Sequence, residues 1–235
     1  MGRIVCSCIF KILWPKVLFV IILAIGVSSQ AFSLTVARND ILLHIVSHCV
    51  DSSKANYCSQ CMLPRRDANC GDVTECKKTN EVWALNTQYV AIRDIKMCEC
   101  PKEFVHGLAM PREVVTGVED SKRQEGIWQF AWDVATERIE PGSIALVVNP
   151  KSQRTQNQLH IHLVRLEKNA RSNFYQYAPS YVNSLEHIWA TAVNDARSKG
   201  LNDYGVLVAQ QSPGKYIVVI TPNSPEAVFT QWSCD

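Results

Sequence analysis

The 235-residue chain has little glycine and proline, with 10 of each. This scarcity excludes a collagen-like repeat and argues against a low-complexity or disordered polymer. Hydrophobic residues make up 47% of the chain and charged residues 20%. That balance is typical of a globular protein, and the length suits one domain or two small ones.

Excess positive charge is also missing from most of the chain. The formal net charge is +2, but residues 1–37 hold three basic side chains and no acidic one. The rest of the chain then has 21 basic and 22 acidic side chains. A surface that neutralises a nucleic-acid backbone needs a basic excess, so we expect no nucleic-acid partner.

The one long hydrophobic run, Val17 to Val27, follows three basic residues and is typical of an export signal. Two fates stay open for it. Ser29 and Ala31 would suit cleavage by a signal peptidase, whereas the uncharged residues 17–37 could cross a bilayer as a helix. Both fates place one domain, residues 38–235, on the outer side of the membrane, with residues 1–37 as its signal or membrane anchor.

An even number of cysteines follows this segment, which in an exported chain indicates a disulfide framework. The eight residues are Cys49, Cys58, Cys61, Cys70, Cys76, Cys98, Cys100 and Cys234. Their pairing cannot be derived from the sequence. One candidate among many is a bridge between Cys49 and Cys234, which would tie the ends of the domain together.

Part of this framework has a second interpretation. Cys58 with Cys61, and Cys98 with Cys100, have short spacings that could also hold a structural zinc ion. An oxidising compartment favours disulfides over zinc. Residues 51–88 are polar and rich in cysteine, which predicts a disulfide-linked insert made mainly of loops.

Hydrophobic periodicity predicts more strands than helices in the remainder of the chain. The predicted strands are residues 89–94, 104–110, 143–149, 158–165, 204–210 and 215–220. The predicted helices are residues 39–52, 124–139 and 185–198. Because the strands mostly follow one another along the chain, the fold class is α+β with an antiparallel sheet.

A histidine pair marks the most informative stretch of the sequence. If residues 158–165 form a strand, Gln158, His160 and His162 share one face and the leucine and isoleucine between them face the core. Two imidazoles on a strand can attack, transfer protons or bind a metal, and they can also be structural residues.

The loop before this pair favours an anionic substrate. It supplies neutral donors and one guanidinium at Asn149, Arg154, Thr155 and Gln156, and it contains no carboxylate. A metal site would ordinarily need a carboxylate, whereas a pyrophosphate site would avoid one. We therefore predict a phosphate-binding site with no metal and no cofactor.

These residues resemble a known family. QLHIHLV, residues 158–164, is similar to the signature strand of the histidine-triad (HIT) superfamily, and VHGLAMPRE, residues 105–113, is similar to an earlier strand of that superfamily. More closely, the chain resembles the bacterial CDP-diacylglycerol pyrophosphatases, a membrane-anchored branch. The likeness extends from Asn39 to Cys234 and includes the IWQFAW helix, the N-x-x-x-x-R-T-Q loop and the YGVLVAQQ hairpin.

The resemblance implies a HIT-like antiparallel sheet with flanking helices and hydrolysis of CDP-diacylglycerol to CMP and phosphatidate. His160 corresponds to a nucleophile that forms a covalent nucleotidyl intermediate, and His162 and His106 correspond to assisting histidines. The substrate-binding positions are Asn149, Arg154, Thr155, Gln156 and Gln158. Gln158 departs from the family pattern, since the first triad histidine usually stands there and glutamine cannot carry a proton.

The resemblance also implies partners and a location. The substrate is a nucleotide-lipid, the anchor lies in a bacterial inner membrane with the catalytic domain in the periplasm, and a homodimer is possible. Release into the periplasm after cleavage is the alternative location. Two alternative functions stay open, namely a HIT-type hydrolase or transferase for soluble nucleotide conjugates and a nucleotide-binding module without activity.

Overall fold

The computed structural model describes residues 38–50, 64–65, 80–97 and 100–234. All of them belong to one compact unit, Val36–Asp235. Within these residues no helix is both long enough and apolar enough to span a membrane. The predicted signal or anchor, residues 1–37, lies outside the described residues.

A single sheet of nine strands organises the described part of the chain, and its strand order is β1-β2-β3-β4-β6-β5-β8-β9-β7. All neighbouring strands are antiparallel except β1 and β2. The strands are β1 (Pro64–Arg65), β2 (Asn80–Leu85), β3 (Tyr89–Arg93), β4 (His106–Pro111), β5 (Ile144–Val148), β6 (Ile161–Arg165), β7 (Ser180–Val182), β8 (Gly205–Ser212) and β9 (Lys215–Thr221). The predicted α+β class with an antiparallel sheet is confirmed.

Five short α-helices accompany the sheet in the described residues. They are α1 (Ile41–His44), α2 (Gly126–Thr136), α3 (Ala170–Asn173), α4 (Ile188–Ser198) and α5 (Pro225–Phe229). Short 3-10 turns lie at Arg38–Asp40, Ile95–Met97, Pro141–Ser143, Lys151–Gln153, Phe174–Tyr177 and Leu185–His187. The helix predicted over residues 39–52 is interrupted, because α1 continues into a π-helical turn over Ile45–Cys49.

Both faces of the central strands are buried, as β5 illustrates. Ile144 and Leu146 pack in a core with residues of α2 and α4. Ala145 and Val147 point to the opposite face and pack in a second core with Ala170 of α3 and Phe229 of α5. This alternation follows from the two-residue period of a strand, and it explains why β5 reads as a continuous apolar run.

The histidine strand differs from its predicted extent. It begins at Ile161 rather than residue 158, so His160 precedes the strand instead of lying on it. Residues 158–160 leave the sheet because other partners take their polar groups, as when the Leu159 N–H donates to the Val115 carbonyl at 2.6 Å. Within the sheet, His162 lies opposite Leu108 of β4.

A disulfide joins Cys100 and Cys234, and we call it the C-terminal disulfide. The predicted bridge between Cys49 and Cys234 is therefore wrong, and Cys100 is not available for the alternative zinc site. The other cysteines of that site, Cys58, Cys61 and Cys98, lie outside the described residues. Most of the predicted insert over residues 51–88 also lies outside them, but its last part contains β2 rather than loops.

Candidate active site

His160 is held in one orientation by the main chain. Its Nδ1 lies 2.7 Å from the carbonyl oxygen of Gln158. A carbonyl can only accept, so Nδ1 carries the proton and Nε2 presents a lone pair. Burial lowers the pKa of His160 below its ordinary 6.5, which keeps the ring neutral at pH 7. A neutral imidazole with a fixed tautomer is what nucleophilic attack requires.

The side chain of Gln158 fixes the segment that carries this carbonyl. Its Nε2 donates to the carbonyls of Pro111 at 2.9 Å and Glu113 at 2.8 Å, and its Oε1 lies 3.4 Å from the N–H of Val115. The amide is thereby fastened to the chain that follows β4. The structure brings Gln158 beside His160, as predicted, but both amide protons already have backbone acceptors.

His162 and His106 form a buried pair next to His160. His106 Nε2 and His162 Nδ1 are 2.9 Å apart, and the ring centres of His160 and His162 are 4.8 Å apart. Burial lowers the pKa of His106 to about 4 and that of His162 well below 6.5. All three imidazoles are therefore neutral at pH 7.

Two carboxylates, which we call the carboxylate pair, face these histidines. Asp94 Oδ2 lies 3.5 Å from His106 Nε2, and Glu226 Oε1 lies 3.4 Å from both His106 Nε2 and His162 Nδ1. Lys96 Nζ lies 3.0 Å from the same Glu226 oxygen. Burial raises the pKa of Asp94. The sequence analysis did not place Asp94, Lys96 or Glu226 in the site.

Asn149 connects the carboxylate pair to the histidines. Its Nδ2 donates to Glu226 Oε2 at 2.6 Å and lies 3.4 Å from His162 Nε2. Its Oδ1 accepts from the Ser224 hydroxyl at 2.7 Å. The predicted substrate-binding position thus lies within the site, in a hydrogen-bond network of its own.

The other predicted phosphate ligands lie on the loop after β5. Arg154 faces Glu119 in a two-pronged ion pair, with contacts of 2.9 and 2.7 Å. Burial opposes ionisation of Glu119, but the hydrogen bond and charge of Arg154 outweigh it and lower its pKa. Thr155 is exposed, and Gln156 Oε1 accepts from the N–H of Leu42.

A narrow cleft of about 10 Å³ opens beside His160. Its lining residues are Thr116, Gly117, Val148, Asn149, Arg154, Gln158, Leu159 and His160. Small-molecule pockets commonly measure about 300–1,000 Å³, so a nucleotide can enter this cleft only if lining side chains such as Arg154 move. A larger cleft of about 590 Å³ lies beside Arg171 and Tyr175, and none of the predicted site residues lines it.

Asp94, His106 and His162 are, among the residues described, the one group whose possible metal-ligand atoms all lie within 4.8 Å of one another. Two of those atoms are already hydrogen-bonded to each other. The ammonium group of Lys96 also lies against Glu226 beside them. The arrangement works as a network of hydrogen bonds and charges, and we assign no metal to it.

Comparison with known families identifies the protein as a hydrolase that acts on a phosphoric anhydride bond. The family model for CDP-diacylglycerol pyrophosphatase matches residues 37–195, and the chain belongs to that family. Its activity is accordingly that of a CDP-diacylglycerol pyrophosphatase. No curated protein matches the chain. The match includes all three histidines of the site and ends before Glu226.

Proposed function

We propose that the protein hydrolyses CDP-diacylglycerol through a covalent nucleotidyl intermediate on His160. Family membership implies the overall reaction. The observation that carries the covalent route is the hydrogen bond from His160 Nδ1 to the Gln158 carbonyl, because it leaves Nε2 as an oriented lone pair. Covalent catalysis divides one difficult displacement into two easier ones.

In the first step, Nε2 of His160 attacks the phosphorus that bears the cytidine. A nitrogen–phosphorus bond forms, the anhydride oxygen–phosphorus bond breaks, and the electron pair leaves with phosphatidate. The ring becomes positively charged, and its Nδ1–H bond to the Gln158 carbonyl stabilises that charge.

This step needs no strong acid, which makes Gln158 compatible with turnover. The leaving group is a phosphate monoester whose second pKa is about 6. At pH 7 it therefore departs as an anion without a proton from the protein. Gln158 hydrogen-bonds the backbone and holds the segment that carries His160. It can therefore occupy the position of a histidine that titrates.

In the second step, water attacks the same phosphorus and the bond to His160 breaks, which releases CMP. His162 is the base that accepts the proton of the water, since its ring centre is 4.8 Å from that of His160 and burial keeps it neutral. His106, hydrogen-bonded to His162, assists by orienting it.

Phosphoryl oxygens are held by the loop after β5 in this proposal. Arg154 and Asn149 line the cleft, and Thr155 is exposed on the adjoining loop. Substrate binding would exchange the partner of Arg154 from Glu119 to a phosphoryl oxygen, which also widens the cleft. Gln156 accepts a hydrogen bond from Leu42. In this proposal Gln156 and Gln158 act mainly by holding the loop in place.

Location and assembly follow the resemblance described above. We propose a HIT-type domain attached by residues 1–37 to a bacterial inner membrane and facing the periplasm, with a homodimer as one assembly to test. Washing membranes at alkaline pH separates an anchored chain from one released by cleavage. Sedimentation of the full chain in detergent measures its oligomeric state.

The test of the proposed function is release of CMP by the full chain. His160→Asn is expected to lower kcat by at least about 10³-fold, because removing a nucleophile removes the covalent route. His187→Asn is the matched control, since His187 is exposed and caps no helix through its side chain. Near-normal turnover by His160→Asn would overturn the mechanism.

The same assay tests the substrate class. CDP-diacylglycerol in mixed micelles is compared with a soluble dinucleotide at equal concentrations. The proposal predicts a higher kcat/KM for the lipid. Faster hydrolysis of the soluble compound would instead support the alternative enzyme, and binding without hydrolysis of either would support the binding module.

A further inference from the structure

We propose that Glu226 is a positioning residue of this site, which orients Asn149 and His162 for hydrolysis of the covalent intermediate. Glu226 does not line the cleft, so it acts through residues that do or that adjoin it. The inference rests on the proposed function, because it concerns the step in which His162 activates water. It adds a residue that lies beyond the part of the chain matched by the family.

The contacts of Glu226 show which groups it orients. Its Oε2 accepts from Asn149 Nδ2 at 2.6 Å, and its Oε1 lies 3.4 Å from His162 Nδ1. The side chain is nearly buried, with 9% of its surface exposed. A carboxylate in such surroundings interacts more strongly with its neighbours than one in water.

These contacts fix the amide of Asn149 and with it the tautomer of His162. The Ser224 hydroxyl donates to Oδ1 of Asn149 and Glu226 accepts from Nδ2, so the amide has one favourable orientation. The second Nδ2 proton then faces His162 Nε2 at 3.4 Å. Nε2 is therefore the acceptor, and the proton of the neutral ring lies on Nδ1, towards His106 and Glu226.

The charge of Glu226 has a role in the second step. Water reaches Nε2 by displacing the Asn149 amide from its 3.4 Å contact; when His162 then takes a proton there, its ring becomes positive and both nitrogens carry protons. A carboxylate beside Nδ1 stabilises that ring and holds it in place, as the third member of a nucleophile–base–acid arrangement does. His160, Asp94, His106 and Lys96 also face His162, and Glu226 is the group that contacts both His162 and Asn149.

Several contacts hold the C-terminal segment and so fix the position of the Glu226 carboxylate. Ser224 and Pro225 begin α5, with the Ser224 hydroxyl accepting from the N–H of Ala227. Lys96 binds Glu226 and lies 5.1 Å from the ring centre of Trp232. The C-terminal disulfide joins the two segments that carry these residues.

The experiment is rapid-quench kinetics with CDP-diacylglycerol labelled at the cytidine-bearing phosphorus. Glu226→Gln keeps the size and an acceptor for Asn149 but removes the charge. We expect kcat to fall roughly 10- to 100-fold, the effect of losing a charge-assisted hydrogen bond, with KM within about threefold. Labelled protein should accumulate, because the second step slows more than the first.

Two further variants keep the test decisive. Glu125→Gln is the matched control, since Glu125 accepts from the N–H groups of Trp189 and Ala190, away from the histidines, and should leave kcat unchanged. Lys96→Met removes the ammonium group that contacts Glu226 and so leaves Glu226 less firmly held. The substitution is at a half-exposed side chain. It should reproduce a smaller accumulation of label even if Glu226→Gln does not fold.

The outcomes separate this inference from the proposed function. A kcat for Glu226→Gln within twofold of the wild type, or equal slowing of both steps, would overturn the positioning role. Absence of labelled protein in wild type and variant alike, with CMP still released, would instead overturn the covalent mechanism. Accumulation of label in Glu226→Gln and, to a smaller degree, in Lys96→Met, but not in Glu125→Gln, supports both.

Discussion

The ion pair between Arg154 and Glu119 predicts that removing the carboxylate of Glu119 improves substrate binding. Arg154 lines the cleft beside His160 and contacts Glu119 through both terminal nitrogens, at 2.9 and 2.7 Å. A phosphoryl oxygen of the substrate must compete with Glu119 for that guanidinium. Glu119→Gln should weaken the competitor and leave the arginine in place.

The size of the effect follows from the exposure of the pair. The side chains of Arg154 and Glu119 are 11% and 34% exposed, so water screens the carboxylate and the pair is closer to a surface ion pair than to a buried one. Such pairs contribute about 1 kcal/mol or less. One kcal/mol corresponds to about a fivefold change in an equilibrium constant, so we expect KM to fall by up to about fivefold.

The assay is steady-state release of CMP from mixed micelles, with three comparisons. Glu119→Gln should lower KM and leave kcat within about twofold. The same substitution in an Arg154→Gln background should give no gain, since the two residues act through one contact. Glu137→Gln, which removes a carboxylate paired with Arg138, is the control for loss of charge alone.

One result would refute the reasoning about the cleft. If Glu119→Gln raises KM, the carboxylate is needed to hold Arg154 in position rather than to compete for it. The cleft is tightly packed around Arg154, because a Cβ atom at Gly117 would collide with its guanidinium. The sign of the change in KM therefore decides between competition and support.

Four further predictions concern stability, pH and cofactors. Gln158→Ala should lower the free energy of unfolding by about 3 kcal/mol through the loss of buried hydrogen bonds, measured by urea denaturation, and unchanged stability would contradict this. Replacing the C-terminal disulfide by Cys100→Ser should cost about 2–4 kcal/mol and reduce CMP release, and full activity in the variant would argue against its role. His106 binds a proton in the folded protein only near pH 4, whereas in the unfolded chain it does so near 6.5. The free energy of unfolding should therefore fall as the pH drops below about 6.5, by up to about 3 kcal/mol from His106, and the lowered pKa values of His160 and His162 act in the same direction. The raised pKa of Asp94 opposes this, and His106→Asn should make the fall less steep. Exhaustive chelation should leave CMP release intact, whereas a loss restored by zinc would contradict the metal-free route.

The sequence was sufficient to predict the elements that carry the histidines. The short apolar run of β4, the alternating residues of β6 and the hairpin of β8 and β9 are local patterns, and the structure has strands at all four places. His106 and His162 come together because these strands are neighbours. The start of β6 was predicted too early, because the side chain of Gln158 bonds a distant backbone, which no local pattern records.

The carboxylates of the site could not be found in this way. Glu226 lies on a five-residue helix 64 positions after His162, and nothing in its surrounding sequence differs from an ordinary surface turn. Asp94 ends a predicted strand and becomes part of the site only through the packing of β3 beside β4. The partner of Arg154, Glu119, is likewise 35 residues away. Such contacts depend on tertiary packing and not on spacing.

The most direct test of the account is the chemical identity of the labelled protein during one turnover. Enzyme is mixed with CDP-diacylglycerol labelled at the cytidine-bearing phosphorus, quenched within the first turnover and mapped by peptide mass spectrometry. We expect a CMP group on His160 that forms and decays at rates consistent with kcat. A CMP group on His162, or full release of CMP with no modified histidine, would contradict it.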